Sequence, residues 1–206
     1  MVGHASRLSV PGRTVPSMGR ILYDTATTLN GWIADENNSL SWLFEVDGGD
    51  HPDEGLFPSG ASVLVEGSTT YEWLLGQEDV LAHPEKWQEF HGDRPTFVFT
   101  SRDLPTPEGA DVRFVSGPVA EVLPSIREAA GDGDIWVVGG GDLAGQFLDI
   151  GALDEIALSV APVALTGGAP VLPRRIESDQ LRLVSATAFG QFARLVYGVE
   201  SASSKD

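Results

Sequence analysis

Apolar residues along this chain fall into two kinds of pattern. The first is the short, nearly unbroken apolar or β-branched run: Arg20–Thr28, Ala61–Glu66, Pro95–Thr100, Asp111–Val115 and Ile135–Val138. Runs of this length, bounded by turn residues, read as strands buried on both faces, as in a parallel sheet. Between them lie segments with helical spacing. Val119, Val122, Leu123 and Ile126 mark a helix over 119–130, and shorter helices are expected over Pro84–Phe90, Leu143–Leu148 and from Tyr71 to Leu75. Leu153–Val163 is rich in strand formers. The second kind is alternation of apolar and polar residues, over Leu181–Phe189 and Phe192–Val199, which predicts two antiparallel strands. The order predicts an α/β fold: a mixed, mostly parallel sheet with helices on both faces and an antiparallel C-terminal hairpin.

The segments between these elements are polar or rich in turn formers. Asn30-Gly31 is a turn signal after the first strand, Asp35–Ser39 is a polar loop, and Ser41–Phe44 is short and aromatic. Asp47–Gly60 reads as an acidic, glycine-rich loop with one helical turn after Pro52. Residues 18–200 are expected to form one domain, large enough to bury a core. Pro11, Gly12 and Pro16 break any helix in residues 1–17, which also lack the apolar stretch of a signal peptide. They are expected to be a disordered leader, and residues 201–206 a disordered tail.

Charge narrows the partners. Thirty acidic residues face thirteen basic ones, a formal net charge of −17. Such a field disfavours nucleic acid and anionic membrane as partners, and it requires any anionic ligand to be held locally. No run is long enough to span a bilayer. The absence of cysteine excludes disulfides and thiolate metal sites, and a cytoplasmic location is expected. His4, His51, His83 and His91 lack ligand spacing and are expected at the surface; no metal is expected.

The segment with most chemical content is Ile135-Trp-Val-Val-Gly-Gly-Gly-Asp-Leu-Ala-Gly-Gln-Phe-Leu148. A buried strand runs into three glycines and then a helix. Glycine lets backbone approach a ligand closely, and a helix N-terminus offers unpaired N–H groups to a phosphate. Gly139 to Ala144 also fits the G-x-G-x-x-G/A dinucleotide fingerprint. That fingerprint belongs on a first strand, with an acid at the end of the second. Here it lies two-thirds along the chain, and Asp154-Glu155 precede the next strand. The doubly wound dinucleotide fold is therefore set aside.

Four motifs in order resemble the dihydrofolate reductase superfamily, in its riboflavin-pathway branch. Thr28-Leu-Asn-Gly-Trp-Ile-Ala34 resembles "S-L-D-G-x-I-A", and Gly67-Ser-Thr-Thr-Tyr-Glu72 resembles "G-R-x-T-Y-E". The glycine turn matches the Gly-Gly-Gly strand-helix turn. Leu153–Val163 followed by Gly167-Gly-Ala-Pro170 resembles the "L-D-E…P-V-x-x-G-x-G-x-P" segment of the C-terminal reductase domain of the bifunctional riboflavin deaminase-reductase. The resemblance implies a reductase using NADPH, ahead of NADH, on a small-molecule substrate. Hydride would pass to a 5-amino-6-(5-phosphoribosylamino)uracil-like compound, or alternatively to a pterin or another small molecule. It implies cofactor contacts from Gly139, Gly140, Gly141, Asp142 and Leu143, from Ser68, Thr69 and Thr70, and from Thr100, Ser101 and Arg102 at the adenosine phosphate. Ala26 and Ile33 would flank the nicotinamide, with Thr25, Asn30 and Trp42 on the substrate side. Members of the branch tend to be homodimers, and the C-terminal strands are expected to pair across a two-fold axis.

The chain departs from the family pattern at two positions, and a third raises a question. Ser68 stands where the motif has arginine, which leaves Arg102 to select a 2′-phosphate. Asn30 replaces an aspartate and is expected to shape the turn. Asp142 adjoins the expected pyrophosphate and is expected to cap the helix with its side chain. Asp47, a few residues after Trp42, is the candidate proton donor, a role that would need its pKa raised by burial. Trp32 and Trp42 flank the expected active-site loop, whereas Trp73, Trp87 and Trp136 are expected in the core. A non-catalytic nucleotide-binding scaffold is the reading from a different class.

Overall fold

The computed structural model describes residues 18–47, 57–77 and 79–200. The expected leader, the tail and most of the acidic loop, with His4 and His51, lie outside them. Eight strands form one sheet in the order β5-β4-β3-β6-β1-β7-β10-β9. These are β1 Ile21–Thr28, β3 Val63–Gly67, β4 Thr96–Phe99, β5 Val112–Val115, β6 Ile135–Gly139, β7 Glu155–Ala161, β9 Leu181–Phe189 and β10 Phe192–Val199. Strands β5, β4, β3, β6, β1 and β7 are mutually parallel, and β10 and β9 run antiparallel at one end. The alternation of Leu181–Val199 carried the antiparallel prediction correctly.

Helices cover both faces. Val119, Val122 and Ile126 of α4 (Val119–Ala130) and Leu143 and Phe147 of α5 (Gly141–Asp149) pack on Ile21, Tyr23, Val63, Val65 and Val137. The other face carries α1 (Ser41–Phe44), α2 (Ser68–Gln77) and α3 (Glu85–His91). There Tyr71, Leu75 and Trp87 pack against Val98, and Trp42 against Ala161 and Phe192. The period of two along each strand divides residues between these layers, so Val65 meets α4 and α5 while Glu66 faces the α2–α3 side. Trp136 and Asp24 share that second face.

Two local results differ from the sequence reading. Helix α2 begins at Ser68, so Thr69 and Thr70 belong to its first turn and not to a preceding loop. A two-stranded ribbon, β2 (Trp32–Ala34) with β8 (Ala169–Pro170), ties the Asn-Gly turn to the Gly167–Pro170 motif. Ala169-Pro170 has no strand pattern of its own; pairing with a distant segment makes it one.

Tyr71 of α2 is fully buried and donates to the Pro105 carbonyl at 2.6 Å. Burial, with Glu66 nearby, pushes its hydroxyl up to about 12. The folded state holds this proton when the unfolded chain, near 10, has begun to lose it. Stability is therefore expected to be unaffected below pH 10 by this group and to fall between pH 10 and about 12. Thermal melts across that range check it: the fall should be shallower in Tyr71→Phe, and an equal slope in both proteins would remove the assignment.

Candidate active site

The carboxyl ends of β3, β4, β5 and β6 open onto one groove of about 370 Å³. Gly67 ends β3, Phe99 and Thr100 end β4, Ser116 and Gly117 follow β5, and Gly140 follows β6; all line the groove. Ser68, Thr69 and Thr70 enter it from the first turn of α2, and Leu143 from the first turn of α5. Two helix N-termini thus aim unpaired N–H groups and partial positive charge at one polar space, the arrangement that binds phosphate.

Each glycine of the turn has its own reason. A Cβ on Gly139 would sit 2.8 Å from Thr70 Oγ1, so glycine lets α2 close over β6. A Cβ on Gly141 would lie 2.2 Å from the Pro170 carbonyl oxygen and 2.4 Å from that of Val171, so glycine lets the β8 segment cross the start of α5. At Gly140 a Cβ would meet nothing within 4 Å. Gly140 is the residue of the three that faces open groove, and its backbone caps α5. This cradle fits a dinucleotide pyrophosphate.

Asp142 does not cap the helix. It lies inside the first turn of α5, and no side-chain cap bond is made there. Its carboxylate instead accepts from Arg174 Nη1 at 3.0 Å and from Gln146 Nε2 at 3.1 Å. The Gln146 and Arg174 hydrogen bonds hold it below the usual carboxylate range. Arg174 also pairs with Asp149 at 2.8 Å, and it lies so close over α5 that a Cβ on Gly145 would touch its guanidinium. The cation pins the carboxylate in place and offsets its charge beside the groove.

Thr100 and Ser101 line the groove, whereas Arg102 is held outside its lining by Glu72 in a two-pronged ion pair, at 2.9 and 2.6 Å. Both side chains are largely exposed. An exposed pair is worth about 0–1 kcal/mol. Glu72→Gln is therefore expected to release Arg102 and tighten NADPH binding by up to about fivefold, with NADH binding unchanged. Separate titrations of the two cofactors check this, and equal gains for both would show that Arg102 does not reach the 2′-phosphate.

Through Thr69, Thr70, Gly140 and Asp142 the groove meets a larger cavity, of about 1090 Å³, on the α1–α3 face. Thr25, Ala26, Ile33 and Trp42 line it. Trp87 and Trp136, buried in the core as expected, also border it, as does the half-buried Trp73, whereas Trp32 does not. Phe44 stacks on Trp73, and Phe57 and Phe90 both pack on Trp136, so much of the wall is aromatic. The Trp42 Nε1 donor is buried without a protein partner. Asp47 follows α1 with its side chain exposed and outside the cavity lining. Asn30 lines neither cavity: its amide accepts from the Leu165 N–H at 3.1 Å and donates to the Leu165 carbonyl at 2.7 Å, fixing the turn after β1.

Three features escaped sequence reasoning. Asp24, in the middle of an apolar strand, lines the large cavity and forms a buried ion pair with Arg194. Burial raises the Asp24 carboxyl and the Arg194 bonds pull it back, leaving it above the usual range. Ser159 lies beside them, accepting from Arg194 Nη1 at 3.1 Å. Finally, His91 is buried and not at the surface: its ring stacks on Trp87 at 3.5 Å, and its Nε2 lies 2.9 Å from Glu66 Oε1. A charged residue breaking an apolar strand was the visible signal for Asp24 and Glu66. Their partners are 170 and 25 residues away, so nothing local announced them.

A mixed sheet with a glycine turn at a parallel strand end, and helix N-termini facing an aromatic cavity, defines the class of dihydrofolate-reductase-like α/β domains. The chain belongs to the family of the RibD C-terminal domain, whose model matches residues 79–194. It is 30% identical over 178 residues to the uncharacterized protein YwjB of Bacillus subtilis (strain 168), covering 86% of this chain and 95% of that protein. Its fold is similar to a putative riboflavin biosynthesis protein from Shewanella sp. PV-4, with a TM-score of 0.70, 23% identity, and coverage of 89% of this chain and all of the other. It is also similar to dihydrofolate reductase from Enterococcus faecalis in complex with NADP(H), with a TM-score of 0.53, 17% identity, and coverage of 90% and 99%.

Proposed function

We propose that this protein is an NADPH-dependent reductase of small, flat heterocyclic compounds. One observation carries the reading. The groove at the ends of β3–β6 opens through Gly140 and Thr70 directly into an aromatic cavity, so an extended dinucleotide held in the first would present its ring to the second. NADPH, when bound, supplies the hydride. The chain's part is positioning. Gly140 and the amides of α5, with Ser68, Thr69 and Thr70, hold the pyrophosphate; Thr100 and Ser101 hold the adenosine phosphate. Ala26 and Ile33 flank the nicotinamide. The aromatic wall holds the acceptor ring at reacting distance and excludes water.

The substrate expected from the family is an aminouracil carrying a phosphoribosyl group. A specific observation favours a second reading, an unphosphorylated ring such as a pterin. Among the described residues lining the large cavity, Lys86 is the one ammonium or guanidinium group, beside the acids Asp24, Glu89 and Asp142. With a net charge of −17 around it, that lining offers little to a phosphate. The active protein is read as a homodimer in the cytoplasm, and light scattering at monomer mass would remove the dimer.

The test is separate titration with NADPH and NADH, followed by quenching of tryptophan emission, then turnover assays with an aminouracil ribotide and with dihydropterin. NADPH binding with turnover of either compound supports the reductase. Binding without turnover, or no binding, favours the non-catalytic scaffold.

A further inference from the structure

Hydride transfer as described leaves the charged pair in the middle of the sheet without a task. Asp24 on β1 and Arg194 on β10 are 5% and 8% exposed, on strands separated by β7. A buried ion pair is weak evidence for stabilisation, because removing both groups from water offsets their attraction. Its place argues for recognition instead. Asp24 and Ser159 both line the large cavity. Arg194 Nη1 donates to Asp24 Oδ1 at 2.7 Å and to Ser159 Oγ at 3.1 Å, and Nη2 donates to Asp24 Oδ2. One guanidinium nitrogen therefore fixes both cavity-lining groups.

What remains on those groups is complementary. An ionised carboxylate offers about four lone-pair directions, and the Arg194 bonds use one on each oxygen. The Ser159 hydroxyl accepts from Arg194 and keeps its own proton to give. The floor thus presents an acceptor, Asp24, next to a donor, Ser159. The Trp136 indole donates to the Asp24 carbonyl at 3.0 Å and holds that backbone in place.

We propose that Asp24 and Ser159 select the substrate by taking the ring edge of a cyclic amide or urea, N–H to the Asp24 carboxylate and C=O from the Ser159 hydroxyl. Arg194 is a positioning residue that sets the spacing of the two. The inference rests on the reductase reading, since it assigns the ring end of that reductase's substrate. A ring whose nitrogens are alkylated has no proton for Asp24 and leaves a buried carboxylate facing carbon. A site built on such hydrogen bonds rejects the analogue that lacks them far more strongly than an apolar slot does.

The experiment uses the full chain with saturating NADPH, and uracil and 1,3-dimethyluracil as probes, with affinities measured by calorimetry. The wild-type protein is expected to prefer uracil by at least about tenfold. Ser159→Ala, which unpairs no charge, should cut the preference to about threefold, and Asp24→Asn should abolish it, with NADPH affinity unchanged in both. A pair that only holds the sheet together would shift the melting temperature and leave the ratio of the two probes untouched. Equal affinity for the probes in the wild type, failure of both to bind, or an intact preference in both variants would overturn the proposal. Should NADPH itself not bind, the reductase reading falls, and the same probe ratio on the free protein still decides the anchor.

Discussion

Gly140→Asp is expected to weaken NADPH binding by about a hundredfold or more while leaving the protein folded. The position is the open one of the glycine turn, so a side chain enters the groove without touching protein. Its carboxylate would lie where α5 directs its first N–H groups, and it would face the pyrophosphate at short range. Losing a charge-assisted hydrogen bond costs about 1.5–3 kcal/mol, and each 1.4 kcal/mol is tenfold in affinity. Gly140→Ala separates charge from bulk and should cost much less, because a methyl group has room there. Gly141→Asp would not test the same point. Its Cβ alone would collide with the Pro170 and Val171 carbonyls, so lost binding would report lost packing. Tryptophan quenching gives the affinities and circular dichroism the fold. Wild-type affinity in a folded Gly140→Asp protein would show that the cofactor does not cross this turn.

Asp24→Leu is expected to produce the largest loss of stability. It leaves the Arg194 guanidinium buried without its carboxylate, a change that costs about 3–5 kcal/mol in comparable sites. In a domain of this size each 1 kcal/mol moves the melting temperature by about 2–4 °C, so a fall of roughly 10 °C is expected. The double variant Asp24→Leu/Arg194→Met should recover most of it, since an apolar pair of similar volume often matches a buried ion pair in stability. Calorimetry on the wild type and the two variants gives both differences. If the double variant stays as unstable as the single one, Asp24 supports the fold through something other than Arg194. Either way the double variant loses the acceptor proposed for the ring, so recovered stability with altered probe preference would separate folding from recognition.

The elements were legible in the sequence because each is dictated by neighbours along the chain. The continuous run Ile135–Val138 makes a buried parallel strand, Val119, Val122 and Ile126 make one face of a helix, and the alternation in Leu181–Val199 makes a half-buried hairpin. Three glycines between strand and helix marked the strand-helix turn beside the groove for the same local reason. The class of fold, the position of the groove, and the contributions of Thr69, Thr70, Thr100 and Gly140 followed from motifs that are continuous in sequence. What the tertiary structure alone decided are the pairings between distant segments. Arg194 with Asp24, His91 with Glu66, Arg174 with Asp142 and Glu72 with Arg102 are set by strand order and helix packing, and each joins ionisable side chains from separate elements. It also decided that Asp47 stays outside the cavity and that Gly141 is packed tightly against the β8 segment. Local pattern reports which face of an element is apolar. It carries no record of which distant charge a buried side chain will meet, because that partner is brought there by the sheet's crossovers and by nothing in the adjacent sequence.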